Sequence, residues 1–132
     1  MHHATEIRKQ ATENSRRALL EAKLGELSQA FQDRSGLTIQ NSADLLDKIA
    51  MARDRDLLVR RMNMSAQVLI DVRNALSALN SGAYGLCEDC DGSISDRRLD
   101  AIPWAGVCVT CQELRDRVQR ADANDDNLSF AA

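Results

Sequence analysis

The chain has 132 residues, with 17 Lys and Arg against 20 Asp and Glu, giving a net charge of −3. That balance supplies no general basic field to hold nucleic acid, and no apolar run approaches the ~20 residues of a membrane span. Aromatic residues make up only 3%, fewer than a globular core of this size normally uses, while charged residues reach 28% beside abundant Ala and Leu, a composition that suits long helices.

The first 14 residues, "MHHATEIRKQATEN", contain no apolar stretch of the kind a signal peptide carries, so a cytoplasmic location with reduced thiols is expected. From about Ala4 to Arg34 the chain is proline-free and helix-prone. Leu20, Leu24, Leu27 and Phe31 step by four, three and four along one apolar stripe, and Ile7, Ala11 and Ala18 extend it upstream as a weaker, displaced one. Gly25 interrupts this helix at a cost of about 1 kcal/mol relative to Ala.

"RSGLTIQNS", Arg34 to Ser42, breaks the pattern. Gly36 is suited to a helix C-terminus, and Asn41 or Ser42 to the next N-cap. A second helix should then run to about Leu79 without glycine or proline. Leu58, Met62, Ser65, Leu69, Val72, Leu76 and Leu79 follow alternating steps of four and three, an a/d seam with one small polar exception. Two such helices joined by a short connector form an antiparallel coiled-coil hairpin over 1–80, with its tip at about 35–49. At 1.5 Å per residue the second helix should be on the order of 55 Å long. The shape is that of a probe.

"NSGAYG", Asn80 to Gly85, ends the second helix. A cysteine-containing segment and a short closing helix occupy 81–121. The polar, small-residue tail 122–132 is expected to be disordered.

All four cysteines fall between residues 87 and 111, as two Cys-x-x-Cys pairs 17 residues apart. Two thiolate-bearing turns at this spacing close a tetrahedral zinc site from both sides, so Cys87, Cys90, Cys108 and Cys111 are the expected ligands of one structural Zn²⁺. Paired disulfides do not suit a chain without a secretory signal. A dithiol redox site would need a βαβ context that is missing. Four protein ligands leave no open position for catalytic water; no enzymatic activity is expected. Glu88, Asp89, Asp91, Asp96 and Asp100 make the finger acidic against only Arg97 and Arg98, so direct DNA binding is not expected. Arg97 and Arg98 are either a small partner-contact patch or ordinary solvated arginines. Pro103 and Trp104 are expected to seat the finger on the base of the helices.

"GAYGLCEDCDGSISDRRLDAIPWAGVCVTCQE", Gly82 to Glu113, resembles the zinc finger of the DksA/TraR family of bacterial transcription regulators. The likeness lies in the Gly-aromatic-Gly before the first Cys, the "I…RRL.A.P" between the pairs and the closing "C..CQE". The hairpin and closing helix extend it over about Ala4 to Ala121. The resemblance implies a mainly α fold that binds RNA polymerase and sends the hairpin tip into the secondary channel. It also implies a tip motif, Asp-x-x-Asp-x-Ala, matched here by Asp44 and Asp47 but with Ile49 in place of the alanine. Read from the residues alone, Asp44 and Asp47 at a helix start can equally serve the helix dipole. Members that respond to guanosine tetraphosphate carry basic residues where this chain has Asp71, Ile102 and Gln112, which implies a weak response or none. The alternative is an adaptor of the same fold for another protein partner, docked through apolar tip residues such as Leu37, Ile39, Leu45 and Leu46. A tip-stimulated RNA cleavage factor stands further off.

Overall fold

A computed structural model describes residues 2–34 and 45–129. Four helices follow in order, α1 (His2–Arg34), α2 (Leu45–Ser81), α3 (Asp96–Ala101) and α4 (Val109–Ser129). The fold is mainly α, as expected: α1 and α2 form the long hairpin, and the cysteine segment with α3 sits between α2 and α4. The connector at 35–44, with the expected caps Asn41 and Ser42, lies outside the described residues.

The seam of α2 lies where its spacing places it. Val72 is fully buried, and Leu58, Met62, Ser65, Leu69, Leu76 and Leu79 are half-buried. Two helices alone cover only one side of an a/d seam, so most of these side chains keep one flank in water. Apart from Leu27 on α1, 8% exposed, burial in the hairpin is concentrated at the base, where Leu20, Val72 and Ala75 meet with Leu24, Val68, Leu76, Leu79, Tyr84 and Trp104 around them. Tyr84 and Trp104 come from outside the hairpin and supply the third side. Close by, the Arg17 guanidinium donates to Asn80 Oδ1 at 2.8 Å, pairing the early part of α1 with the end of α2 as an antiparallel arrangement requires.

Two expectations need correction. The upstream stripe of α1 is not Ile7, Ala11 and Ala18: Ile7 is 60% exposed and both alanines are exposed as well. The inward series continues instead through Arg16, four residues before Leu20 and 8% exposed. Because α2 ends at Ser81, the first turns of α1 have no helix to face; the finger lies there instead. The tail also differs. α4 carries on through Ser129, across positions whose polarity suggested disorder from 122. Its first turn is anchored by the finger, no Gly or Pro interrupts it, and extending a helix costs far less than nucleating one.

Leu19 and Leu20 offer a paired test, being chemically identical neighbours 56% and 0% exposed. Leu20→Ala should lower stability by about 2–5 kcal/mol and Leu19→Ala by less than about 0.5 kcal/mol, read from urea unfolding followed by helical circular dichroism.

Candidate functional site

The segment between α2 and α4 is built from two tight turns and one short helix. Gly82 and Gly85 take positive φ (79° and 86°), conformations open to glycine at little cost, and they reverse the chain out of α2. The first Cys-x-x-Cys turn closes when the Cys87 N–H donates to Gly92 O at 2.7 Å and the Asp91 N–H to Cys87 O at 3.0 Å. Asp91 sits at φ 58° within it. The Ile94 N–H donates to Gly85 O at 2.7 Å, and Leu86 pairs with Ser93 across the same turn. Ser95 caps α3 by accepting from the Arg98 N–H, and Pro103 follows the helix end. The second pair straddles the start of α4: Cys108 precedes its first residue, and the Cys108 carbonyl accepts from the Gln112 N–H at 3.0 Å. Cys111 lies in the first turn, where the helix dipole favours negative charge.

These turns bring the four Sγ atoms within 4.8 Å of one another. Cys90 Sγ and Cys108 Sγ stand 3.9 Å apart, too far for a disulfide, while a tetrahedron of Zn–S bonds near 2.3 Å spaces its sulfurs by about 3.8 Å. The donor set therefore fits a zinc ion. The Cys108 backbone N–H, 3.3 Å from Cys87 Sγ, draws the Cys87 thiol down to about 6, against burial and with help from the Cys90 and Asp89 amides. Cys111 is pushed up to about 12, first by its hydrogen bond with Cys108, then by burial and by Cys87 and Cys90. One thiolate is thus provided for by backbone amides, and the remaining negative charge calls for a cation. A bound zinc ion supplies that charge and locks both turns together. Cys87, Ile94, Leu99 and Val107 form a small buried core beside it.

The finger is fixed to the hairpin by three side chains. Tyr84 packs against both the finger core and the hairpin core, and its hydroxyl donates to Pro103 O at 2.7 Å. Trp104 rests on the hairpin core, with Lys23 Nζ 5.7 Å from its ring centroid. Arg16 reaches from α1 to both ends of α3, donating to Asp96 at 3.2 Å and Asp100 at 3.0 Å, with its guanidinium 5.9 Å from the Tyr84 ring. Burial works against the Arg16 charge, but the Asp100 and Asp96 hydrogen bonds outweigh it and hold the guanidinium above its ordinary pKa. The expectation that Pro103 and Trp104 seat the finger is met; the Arg16 clasp is not something the sequence reading found. Its one signal was a charged residue in register with the Leu20 stripe. Nor did that reading find the pairing of Arg115 on α4 with Asp89, at 2.7 and 2.5 Å, which ties the closing helix to the first cysteine turn.

The two arginines suggested as a contact patch divide. Arg98 is half-buried and donates through Nε to Val107 O at 3.0 Å, so it belongs to the finger's framework. Arg97 is exposed. At the hairpin tip Asp44 lies outside the described residues, while Asp47 sits in the first turn of α2 and Ile49, just beyond it, is 48% exposed. Asp71, Ile102 and Gln112 come together along one cleft of about 580 Å³ between α2, the finger and α4. Asp71 there accepts from Gln67 at 3.0 Å, and Gln112 donates to Asp116 at 2.9 Å. Among the described residues, the two cations on the cleft wall, Arg98 and Arg115, are engaged by Val107 O and Asp89.

Trp104 is the sole tryptophan and stands at the joint, so its emission reports the state of the finger. Purified protein should contain about one zinc per chain. Chelation should red-shift Trp104 emission as the joint opens, and Cys87→Ser should abolish stoichiometric zinc. Emission unchanged on complete zinc removal would show that the metal does not hold the joint.

Residues 82–117 match the prokaryotic dksA/traR C4-type zinc finger. An uncharacterised protein of Aquifex aeolicus is 31% identical over 112 residues, covering 81% of this chain and 77% of that one. The RNA polymerase-binding transcription factor DksA of Caulobacter vibrioides is 33% identical over 86 residues, 65% of this chain. The chain spans only 61% of that relative's length. Among solved structures, transcription factor DksA2 of Pseudomonas aeruginosa superposes with a TM-score of 0.63 at 25% identity, over 83% of this chain and 87% of that one. No helix among the described residues is long and apolar enough to cross a membrane. A four-cysteine finger clasped to the base of a long helical hairpin, matched in sequence across the finger and in shape across most of the chain, places this protein in the DksA/TraR C4-type zinc-finger family.

Proposed function

We propose that this protein is a non-enzymatic transcription regulator that acts in the bacterial cytoplasm by binding RNA polymerase and inserting its hairpin tip into the secondary channel. The observation that carries the reading is the union of the zinc-locked finger with the hairpin base through Tyr84, Trp104 and Arg16. That union makes a stiff mount for a slender two-helix stem, an arrangement suited to delivering a few residues into a narrow passage. The similarity to DksA2 over most of the chain supports it. The mount docks on the enzyme's surface, and Asp44 and Asp47 present charge at the far end. Insertion alters transcription only to the extent that the tip interacts differently with successive promoter complexes.

Asp44→Asn/Asp47→Asn should bind core RNA polymerase with affinity within about threefold of wild type while losing its effect on promoter-complex lifetime. Binding is read by fluorescence anisotropy and lifetime by competitor challenge. If wild-type protein does not bind polymerase at all, the adaptor reading takes over, and the exposed Leu45, Leu46 and Ile49 near the tip (71%, 74% and 48%) become its contact residues.

The cleft holding Asp71, Ile102 and Gln112 supports insensitivity to guanosine tetraphosphate, since a polyphosphate there would meet a carboxylate, an alkyl chain and an amide. Titrating the nucleotide into the protein–polymerase complex should change neither affinity nor promoter-complex lifetime. A competition-mapped nucleotide site that includes Asp71 would sink this expectation.

A further inference from the structure

Position 16 belongs to the inward series of α1, four residues before Leu20, where an apolar side chain would pack at no desolvation cost. Arg16 stands there instead, with its side chain only 10% exposed. Among the described residues no group accepts from its buried Nε–H, so the charge leaves water with part of its hydrogen bonding unmet, which costs free energy. Its partners return little of that. The Asp96 and Asp100 side chains are 87% and 70% exposed, and ion pairs that water reaches so readily are strongly screened. For stability alone, an alkyl chain of similar volume should serve as well or better.

What the arginine supplies is direction. Its Nη2 donates to Asp96 at 3.2 Å and to Asp100 at 3.0 Å. The two carboxylates are one turn apart on α3, so tilting α3 along that line lengthens one bond as it shortens the other, and hydrogen bonds weaken as length and angle leave their optimum. The Tyr84–Pro103 bond lies within the finger and Arg17–Asn80 within the hairpin, whereas both Arg16 bonds cross from one to the other. Tyr84 and Trp104 cross as well, but as packing on the hairpin core, which is non-directional and tolerates small rotations. The Lys23 Nζ contact with the Trp104 ring, 5.7 Å from the centroid, is near the outer limit of such interactions.

We propose that Arg16 is a positioning residue that fixes the angle between finger and stem while adding little to the stability of either. The claim concerns the protein by itself; only its consequence for transcription rests on the polymerase-binding reading.

The test measures that angle as a distance. Arg55 on α2 and Glu113 on α4, both exposed, are replaced by a ketone-bearing residue that takes a spin label and leaves the cysteines to zinc. The distance distribution is then read by double electron–electron resonance in the zinc-loaded full chain. Arg16→Met should about double the width of that distribution, with zinc content unaltered and the melting temperature within about 5 °C of wild type or higher. Salt at about 1 M should broaden the wild-type distribution and leave that of Arg16→Met as it is, a response that apolar packing does not give and that needs no substitution at the joint. An unchanged width in Arg16→Met, or a wild-type width indifferent to salt, would overturn the proposal in favour of the aromatic rings. A melting temperature lowered by more than about 5 °C would overturn it in favour of a stability role. On core RNA polymerase, Arg16→Met should bind within about threefold of wild type and lose about tenfold of its effect on promoter-complex lifetime; an undiminished effect from the broadened variant would overturn its positioning role. Failure of the wild type to bind polymerase would remove that reading alone, because the distances in the free protein decide the role of Arg16 by themselves.

Discussion

The four cysteine sulfurs lie within 4.8 Å of one another, and as thiolates they would repel strongly. A dication at their centre converts that repulsion into the main tie between residues 87 and 111. Everything attached to the finger inherits the tie. α3 is presented to Arg16, Pro103 accepts the Tyr84 hydroxyl, and α4 begins directly after Cys108, all because the two cysteine turns share one centre. The buried finger core of Cys87, Ile94, Leu99 and Val107 is too small to hold some 25 residues in one arrangement without such a staple.

Stiffness is therefore distributed unevenly. At the base, two helices and the finger meet on three sides and bury Leu20 and Val72 completely. Along the stem the same seam is covered on one side only, and Leu58, Met62 and Leu69 remain half-buried.

Much of this was legible beforehand, and the reasons differ by element. The α2 seam was readable because an a/d spacing leaves only one face that a partner helix can cover. The zinc site was readable because ligand type and spacing together admit one geometry. The beginning of α1 was misread because periodicity reports which residues share a face but not where the partner helix stops; past Ser81 the neighbour of α1 is the finger. Arg16 was missed for a related reason: its carboxylate partners lie 80 and 84 residues away, and nothing local announces them. The far end of α4 was judged by polarity, which speaks to packing, whereas its helicity is propagated from an anchored first turn. Asp47 and Ile49 stand at the start of α2, and any role they have depends on a surface outside the chain.

The clasp at Arg16, Tyr84 and Trp104 has a geometrical consequence. From Val72 to Leu45 the stem extends about 40 Å at 1.5 Å per residue. Over that arm a rocking of only about 5° at the joint sweeps the far end through about 3.5 Å, more than a hydrogen bond's length. Ångström-level aim at the tip is thus decided at the opposite end of the molecule, by the angular play that one guanidinium and two aromatic rings allow.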